Sequence, residues 1–253
     1  MMTTDERADS IGIGLPREWI EIPVERDRFE RFRSELDGSW EQSGWDRTTR
    51  RRAELLLNRI RREIGRVGVQ FASLYVDHPT DEEFDLARRT TAESGEVGGE
   101  SELDPDDILM AACIVGVYTR ADLGAKIPLT LGNLVMAYGT KPGRDEPGQA
   151  KVTNLEPPTI FEMPAGKSVR LRRLYELPQP GMLPQRYYGE TFLMPIDEAG
   201  DRIAIVNFTT VNLPIARVFS ELFEAVAGTV TLFRPDDPTT FESDWVEDFS
   251  DDG

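Results

Sequence analysis

The chain has 253 residues, 39% of them hydrophobic and 30% charged, with a formal net charge of −17. That length holds one large domain or two small ones, and the charge argues against a general nucleic-acid or anionic-membrane binder, because phosphate contacts need surplus cations. It favours instead a protein partner with a basic surface.

No apolar run of about 18 residues is present, so no transmembrane helix is expected. The polar, acidic opening MMTTDERADS lacks the apolar stretch of a secretory signal. One cysteine, Cys113, excludes an internal disulfide. Together these features place the chain in the cytoplasm.

In chain order, residues 1–14 read as a disordered lead and residues 18–24 (EWIEIPV) as a short strand. Phe29, Phe32 and Leu36 then fall at helical spacing, predicting a short amphipathic helix over residues 25–36. Residues 37–46 (DGSWEQSGWD) read as a turn-rich link. The strongest N-terminal helix covers residues 47–66, with Leu56, Leu57, Ile60 and Ile64 on its buried stripe and eight arginines on the rest. Residues 69–76 form a strand. Residues 77–107, acidic and rich in Gly and Ser, read mostly as a mobile loop. The most apolar run, residues 108–119, is a central strand paired with the preceding one. Residues 128–138 predict a helix, and residues 140–150 a second polar loop.

The second half is better punctuated. Residues 168–177 open a sheet, the Pro-rich PQPGMLP turns the chain, and residues 186–233 read as strand, DEAGD hairpin, strand, helix and closing strand. The strand at 203–208 is apolar on both phases, as expected when both faces are covered. The helix carries Ile215, Val218, Phe219, Leu222, Phe223 and Val226 on one face. Asn212 reads as its N-cap, and Gly228 as a left-handed residue that ends it. Residues 229–233 then return to the same sheet. The sum is an α+β fold: a mainly antiparallel sheet with amphipathic helices packed on it, over residues 15–235, followed by a flexible acidic tail at 236–253.

The order of YYGETFLMPID, DRIAIVNFTTVNLPIARVFSELFEAVAGTVTLF resembles the Mog1/PsbP-like α+β architecture. It is also similar to a group of uncharacterised actinobacterial cytoplasmic proteins. The resemblance spans residues 169–233, with the N-terminal half matching in outline. It implies a binding or assembly-accessory protein rather than an enzyme, in the setting of an actinobacterial secretion or toxin system. It transfers no residue.

Reactive residues are sparse. His78 stands before a proline at a strand end and reads as an exposed loop residue rather than a catalytic base. Cys113 reads as an inert core thiol. With one His and one Cys, zinc is not expected. Asp104, Asp106 and Asp107, or Asp197, Glu198 and Asp201, read as solvated turns rather than a Ca²⁺ or Mg²⁺ site. Gly12-Ile13-Gly14 lacks the rest of a dinucleotide fingerprint, and residues 139–144 are no phosphate-binding loop, so no cofactor is expected.

Two features stand out as an interaction surface. One is the arginine face of the helix at 47–66, represented by Arg50, Arg51, Arg59 and Arg62. The other is the tail, where Phe241, Trp245 and Phe249 are interleaved with acids. Their opposite charges raise the expectation that the tail folds back on the arginine helix. The leading expectation is a cytoplasmic, non-enzymatic protein-interaction or assembly-accessory module. The alternatives are a small anionic-ligand-binding domain using Arg170, Arg172 or Arg173, and a hydrolase built on His78 or an acidic pair.

Overall fold

The computed structural model describes residues 10–66, 68–78, 108–139, 151–179 and 182–233. Its centre is an eight-stranded antiparallel sheet with strands from both halves of the chain, so the protein is α+β. The strands are β2 (Trp19–Ile22), β3 (Val69–Asp77), β4 (Leu109–Thr119), β5 (Lys151–Asn154), β6 (Thr159–Met163), β7 (Gly166–Gln179), β8 (Met182–Pro195) and β9 (Arg202–Thr210). They lie in the order β2-β3-β4-β9-β8-β7-β5, with β6 also pairing the start of β7.

One face is covered by three helices: α1 (Arg26–Gln42), α2 (Arg47–Ile64) and α3 (Leu131–Gly139). Asp46 caps α2, its Oδ1 accepting the Thr49 N–H at 2.6 Å, and those Thr49 bonds hold its carboxyl below the usual range. Ala53, Leu56, Leu57 and Ile60 of α2 pack with Phe29 of α1 on Ala72, Leu74, Met110, Ala112 and Ile114. Leu134 of α3 packs on Val169, Leu171, Leu193 and Ile203.

The other face is covered by α4 (Ala216–Ala227), where Phe219, Phe223 and Val226 meet Ala204, Val206 and Phe208. Burying each of those α4 side chains contributes about 2 kcal/mol. Strand β9 is therefore covered along the α4 face, and on the other face Ile203 is buried while Ile205 and Asn207 stay half-buried.

The structure corrects the sequence reading at several places. Helix α1 runs on through Gly38 to Gln42, because Trp40 is drawn into the core and stacks on Trp45 with ring centroids 4.9 Å apart. Strands β5 and β6 were not expected. Asn212 gives no side-chain cap: its buried amide donates to Ile108 O and accepts from Met110 N, both at 2.9 Å, pinning the end of β9 to β4. A 3₁₀ turn at Leu213–Ile215, containing Pro214, precedes α4 instead. Gly228 has φ −63°, a right-handed conformation open to any residue.

Residues 231–233 do not rejoin the main sheet. They form β10 (Thr231–Phe233), which pairs with β1 (Ser10–Gly12), inside the segment expected to be a lead. The loop expected at 77–107 begins later, since Asp77 ends β3, and its residues 79–107, the expected loop at 140–150 and the expected acidic tail lie outside the described residues.

Candidate anion-binding groove

Helices α2 and α3 do not meet on their shared face, and the strip of sheet between them is the floor of a groove. Strand register orders that floor. Ile114, Asn207, Thr191 and Leu171 form one line across β4, β9, β8 and β7. Ile205 and Leu193 pair on one side of it, and beyond it on the other side lie Arg173, then the Tyr187–Tyr175 pair. Arg59 and Glu63 of α2, with Arg66 just past its end, form one wall, and Asp122, Leu123 and Tyr138 the other. The groove is half-open, with a volume of about 830 Å³.

Two glycines inside strands shape the ends. A Cβ on Gly189 would lie 2.7 Å from the Tyr175 ring, so only glycine lets that ring settle over β8. A Cβ on Gly116 would lie 2.8 Å from the Tyr118 ring and 2.7 Å from the Gly68 carbonyl, so Tyr118 folds over β4 for the same reason.

The groove carries arginines in a protein that is acidic as a whole. Arg59 reaches across from α2 and donates to Asn207 Oδ1 at 2.8 Å. Its guanidinium lies 4.9 Å from the Tyr187 ring centre and 5.3 Å from that of Tyr175, and these two rings stack 4.7 Å apart. Its Nε is buried and has no acceptor among the described residues. Asn207 passes the chain on, its Nδ2 donating to Thr191 Oγ1 at 2.6 Å, which leaves the Thr191 hydroxyl proton free to donate. Across the groove, Arg173 Nε donates to Asn154 Oδ1 at 3.1 Å, and its guanidinium lies 5.0 Å from the Tyr138 ring centre.

The acids lining the groove are already engaged. Glu63 pairs with Arg66 at 2.8 Å, and Asp122 Oδ2 accepts the Thr119 N–H and hydroxyl. Among the described residues, neither Arg59 nor Arg173 has a carboxylate partner. Burial pushes the Tyr187 hydroxyl pKa up against the pull of Arg59, and burial followed by Glu63 pushes Tyr118 up. Both hydroxyls therefore stay protonated at neutral pH.

The residues singled out from the sequence divide. Arg59 and Arg173 come together in the groove, although the sequence reading put them in different hypotheses. Arg50 and Arg51 line a separate hollow of about 650 Å³ with Trp45, Arg47 and Glu54, and Arg50 Nε donates to the Trp45 carbonyl at 3.0 Å. Arg62 is exposed, its Nε on the Asn58 carbonyl at 3.3 Å. Of the arginines expected to form one surface, Arg59 thus lines the groove, Arg50 and Arg51 the hollow, and Arg62 faces solvent. Phe241, Trp245 and Phe249 lie outside the described residues, as do Asp104, Asp106 and Asp107.

Arg170 and Arg172 are removed from the anion-binding reading. On the opposite face of the sheet, both pair with Glu156, Glu190 and Glu224. Glu190 is fully buried and accepts from the Tyr188 and Ser220 hydroxyls, each at 2.8 Å. Burial pushes its carboxyl above the usual range, against those hydroxyls and the two arginines. Among the rest, His78 is exposed at the end of β3, its N–H on Asp77 Oδ1, and takes no part in the groove. Cys113 is fully buried, and desolvation pushes its thiol far up, leaving it no thiolate. Asp197 accepts from Asp201 N and Arg202 Nε within its own turn.

The sequence reading missed Tyr118, Tyr138, Tyr175, Tyr187, Thr191 and Asn207. The available signal was a glycine inside each of two otherwise good strands, at 116 and 189.

No protein-family model matches the chain, and no curated protein sequence matches it. Among solved structures, it is similar to a crystal structure of LpqN, described as involved in cell envelope biogenesis of Mycobacterium tuberculosis. That match has 9% identity and a TM-score of 0.37, and covers 90% of this chain and 86% of the other. At that level the likeness carries no argument about fold or function.

Proposed function

We propose that this protein is a non-enzymatic binding protein, and that the groove between α2 and α3 holds an anionic ligand. The observation that carries this reading is the convergence of Arg59 and Arg173, without carboxylate partners among the described residues, in a chain of net charge −17. Each guanidinium keeps donors beyond the one it gives to an asparagine, and a carboxylate or phosphate takes such donors in pairs. The free Thr191 proton and the tyrosine hydroxyls supply further donors, while Leu171, Leu193 and Ile205 suit an apolar body attached to the anion.

Titration calorimetry at low salt with benzoate, phosphate and short dicarboxylates tests the site. Arg59→Gln and Arg173→Gln should each weaken binding roughly tenfold, the worth of one charge-assisted hydrogen bond. Affinity unchanged in both variants would sink the reading.

A second reading, a protein-interaction or assembly-accessory module in the cytoplasm, is favoured by Leu123, Ile127 and Met136. These are large apolar side chains left exposed on the segment that forms the outer wall. Capture of a stoichiometric partner that Leu123→Gln and Ile127→Gln release together would support it. A partner retained by that double variant would count against it.

A further inference from the structure

The two acids that line the groove do not sit among its arginines, and strand register shows the separation. Tyr118 pairs with Ile203, and four residues along the same two strands Ile114 pairs with Asn207, to which Arg59 donates. Four residues of strand are about 13 Å. Glu63 lies at the Tyr118 end, where its charge helps to push the Tyr118 hydroxyl pKa up. Asp122 is tied there by Thr119, the next residue after Tyr118. Arg59 and Arg173 lie at the other end, against the rings of Tyr187, Tyr175 and Tyr138. Ile205 and Leu193 are register partners in the row between the two ends.

We propose that the groove is dipolar and that its ligand is a linear zwitterion. Arg59 and Arg173 hold its carboxylate or phosphate, Glu63 and Asp122 hold an ammonium, and an apolar body between them lies on Ile205, Leu193 and Leu171. The inference rests on the anion-binding reading above and completes that ligand at its other end.

The bonds already made by the two acids leave them able to take a cation. The Thr119 N–H at 2.8 Å and hydroxyl at 2.7 Å both end on Asp122 Oδ2, and Oδ1 accepts no hydrogen bond from the described residues. Those bonds hold the Asp122 carboxyl below the usual range, so it is charged at neutral pH. Glu63 pairs with Arg66, whose side chain is 67% exposed, and an ion pair so open to water is weak. Arg66 opposes an ammonium at this end, but it is free to turn into solvent while Glu63, 26% exposed, stays in the wall. The Tyr118 ring, folded over Gly116 beside these carboxylates, adds to the attraction for an ammonium.

The same arrangement disfavours an occupant with an anion at both ends, because its second carboxylate would face Glu63 and Asp122. A long monoanion would leave both acids unmatched. A zwitterion meets both ends, and without net charge it approaches a chain of −17 unopposed.

The test is calorimetry at low salt with three probes of equal length: octanoate, 8-aminooctanoate and octanedioate. The full chain should bind 8-aminooctanoate roughly fivefold more tightly than octanoate, the scale of one half-exposed ion pair, and octanedioate most weakly. Glu63→Gln with Asp122→Asn should erase that preference and strengthen octanedioate. Arg59→Gln should weaken all three. The probe series on the unsubstituted chain decides the matter even where the double variant is unstable. Octanoate bound as tightly as 8-aminooctanoate, with both lost on Arg59→Gln, would overturn the proposal while leaving the anion site standing. A preference that survives Glu63→Gln with Asp122→Asn would overturn it by placing the ammonium elsewhere, and tightest binding of octanedioate would overturn it by making both ends cationic in effect. Binding of none of the three would remove the anion site as well. Tetraalanine, whose free ends lie up to about 14 Å apart, distinguishes the sources of such a zwitterion. Tighter binding than 8-aminooctanoate would support a short peptide with both ends free, and weaker binding an ω-amino carboxylate.

Discussion

Strand β7 carries Arg170, Arg172 and Arg173 within four residues, and the pleat sends the first two to one face of the sheet and the third to the other. On the α4 face, Arg170 and Arg172 are closed in by Glu156, Glu190 and Glu224, with hydroxyls of Tyr188 and Ser220 completing the shell of Glu190. On the groove face, Arg173 and Arg59 meet amides and aromatic rings and, among the described residues, no carboxylate. The first group is saturated and so stabilises or destabilises the fold. The second keeps unused donors and so is available to a ligand. Side-chain type is the same in both places. The surrounding carboxylates make the difference.

The contrast predicts unequal costs. Glu190→Ala leaves two partly buried guanidiniums short of their central anion and should cost about 3–5 kcal/mol, read from urea unfolding. A loss within 1 kcal/mol would mean that the cluster is not the structural one of the two.

Gly189→Ala forces the Tyr175 ring off β8 and should cost roughly 1–2 kcal/mol. The same substitution should weaken benzoate binding, because Tyr175 flanks Arg59. Full stability together with full binding would show that the ring moves freely and does not shape the site.

Glu190 also sets a pH test. Its folded carboxyl lies above the ordinary value of 4.5. The stability it contributes is therefore present below that value and lost as pH rises through the raised one. Wild type should lose stability relative to Glu190→Gln on going from mildly acidic to neutral pH in parallel urea titrations. A difference that grows in the opposite direction would show a depressed carboxyl, with the arginines outweighing burial.

The smallest effect on stability belongs to Arg59→Gln, which should change unfolding by less than about 1 kcal/mol, the scale of its ring contacts. If that substitution costs as much as Glu190→Ala, the groove arginine is structural and the contrast between the two faces disappears.

Elements whose own residues determine them were readable from sequence. Helix α2 has its stripe of Leu56, Leu57, Ile60 and Ile64; β4 is long and apolar; β8 and β9 flank an obvious hairpin. Readings failed where a distant partner decides. Asn212 looks like a cap locally, yet it is claimed by Ile108 and Met110, about a hundred residues earlier. Ser10–Gly12 has no strand signal of its own and is ordered by Thr231–Phe233. The groove is the extreme case. Its two arginines come from α2 and β7 and its tyrosines from three strands and a helix, so only the register of the sheet brings them together. Arg59 could be named as one of many arginines, but not as the one that crosses to Asn207.

The pairing of β1 with β10 has a mechanical consequence. Ser10 and Phe233 are direct register partners at one end of that ladder, and residues 1–9 and 234–253 continue the chain from there in sequence. Tension applied through those two continuations pulls across the ladder rather than along it, loading its hydrogen bonds one after another like a zipper. This three-residue clasp should therefore open at low force while the eight-stranded sheet bears none of the load.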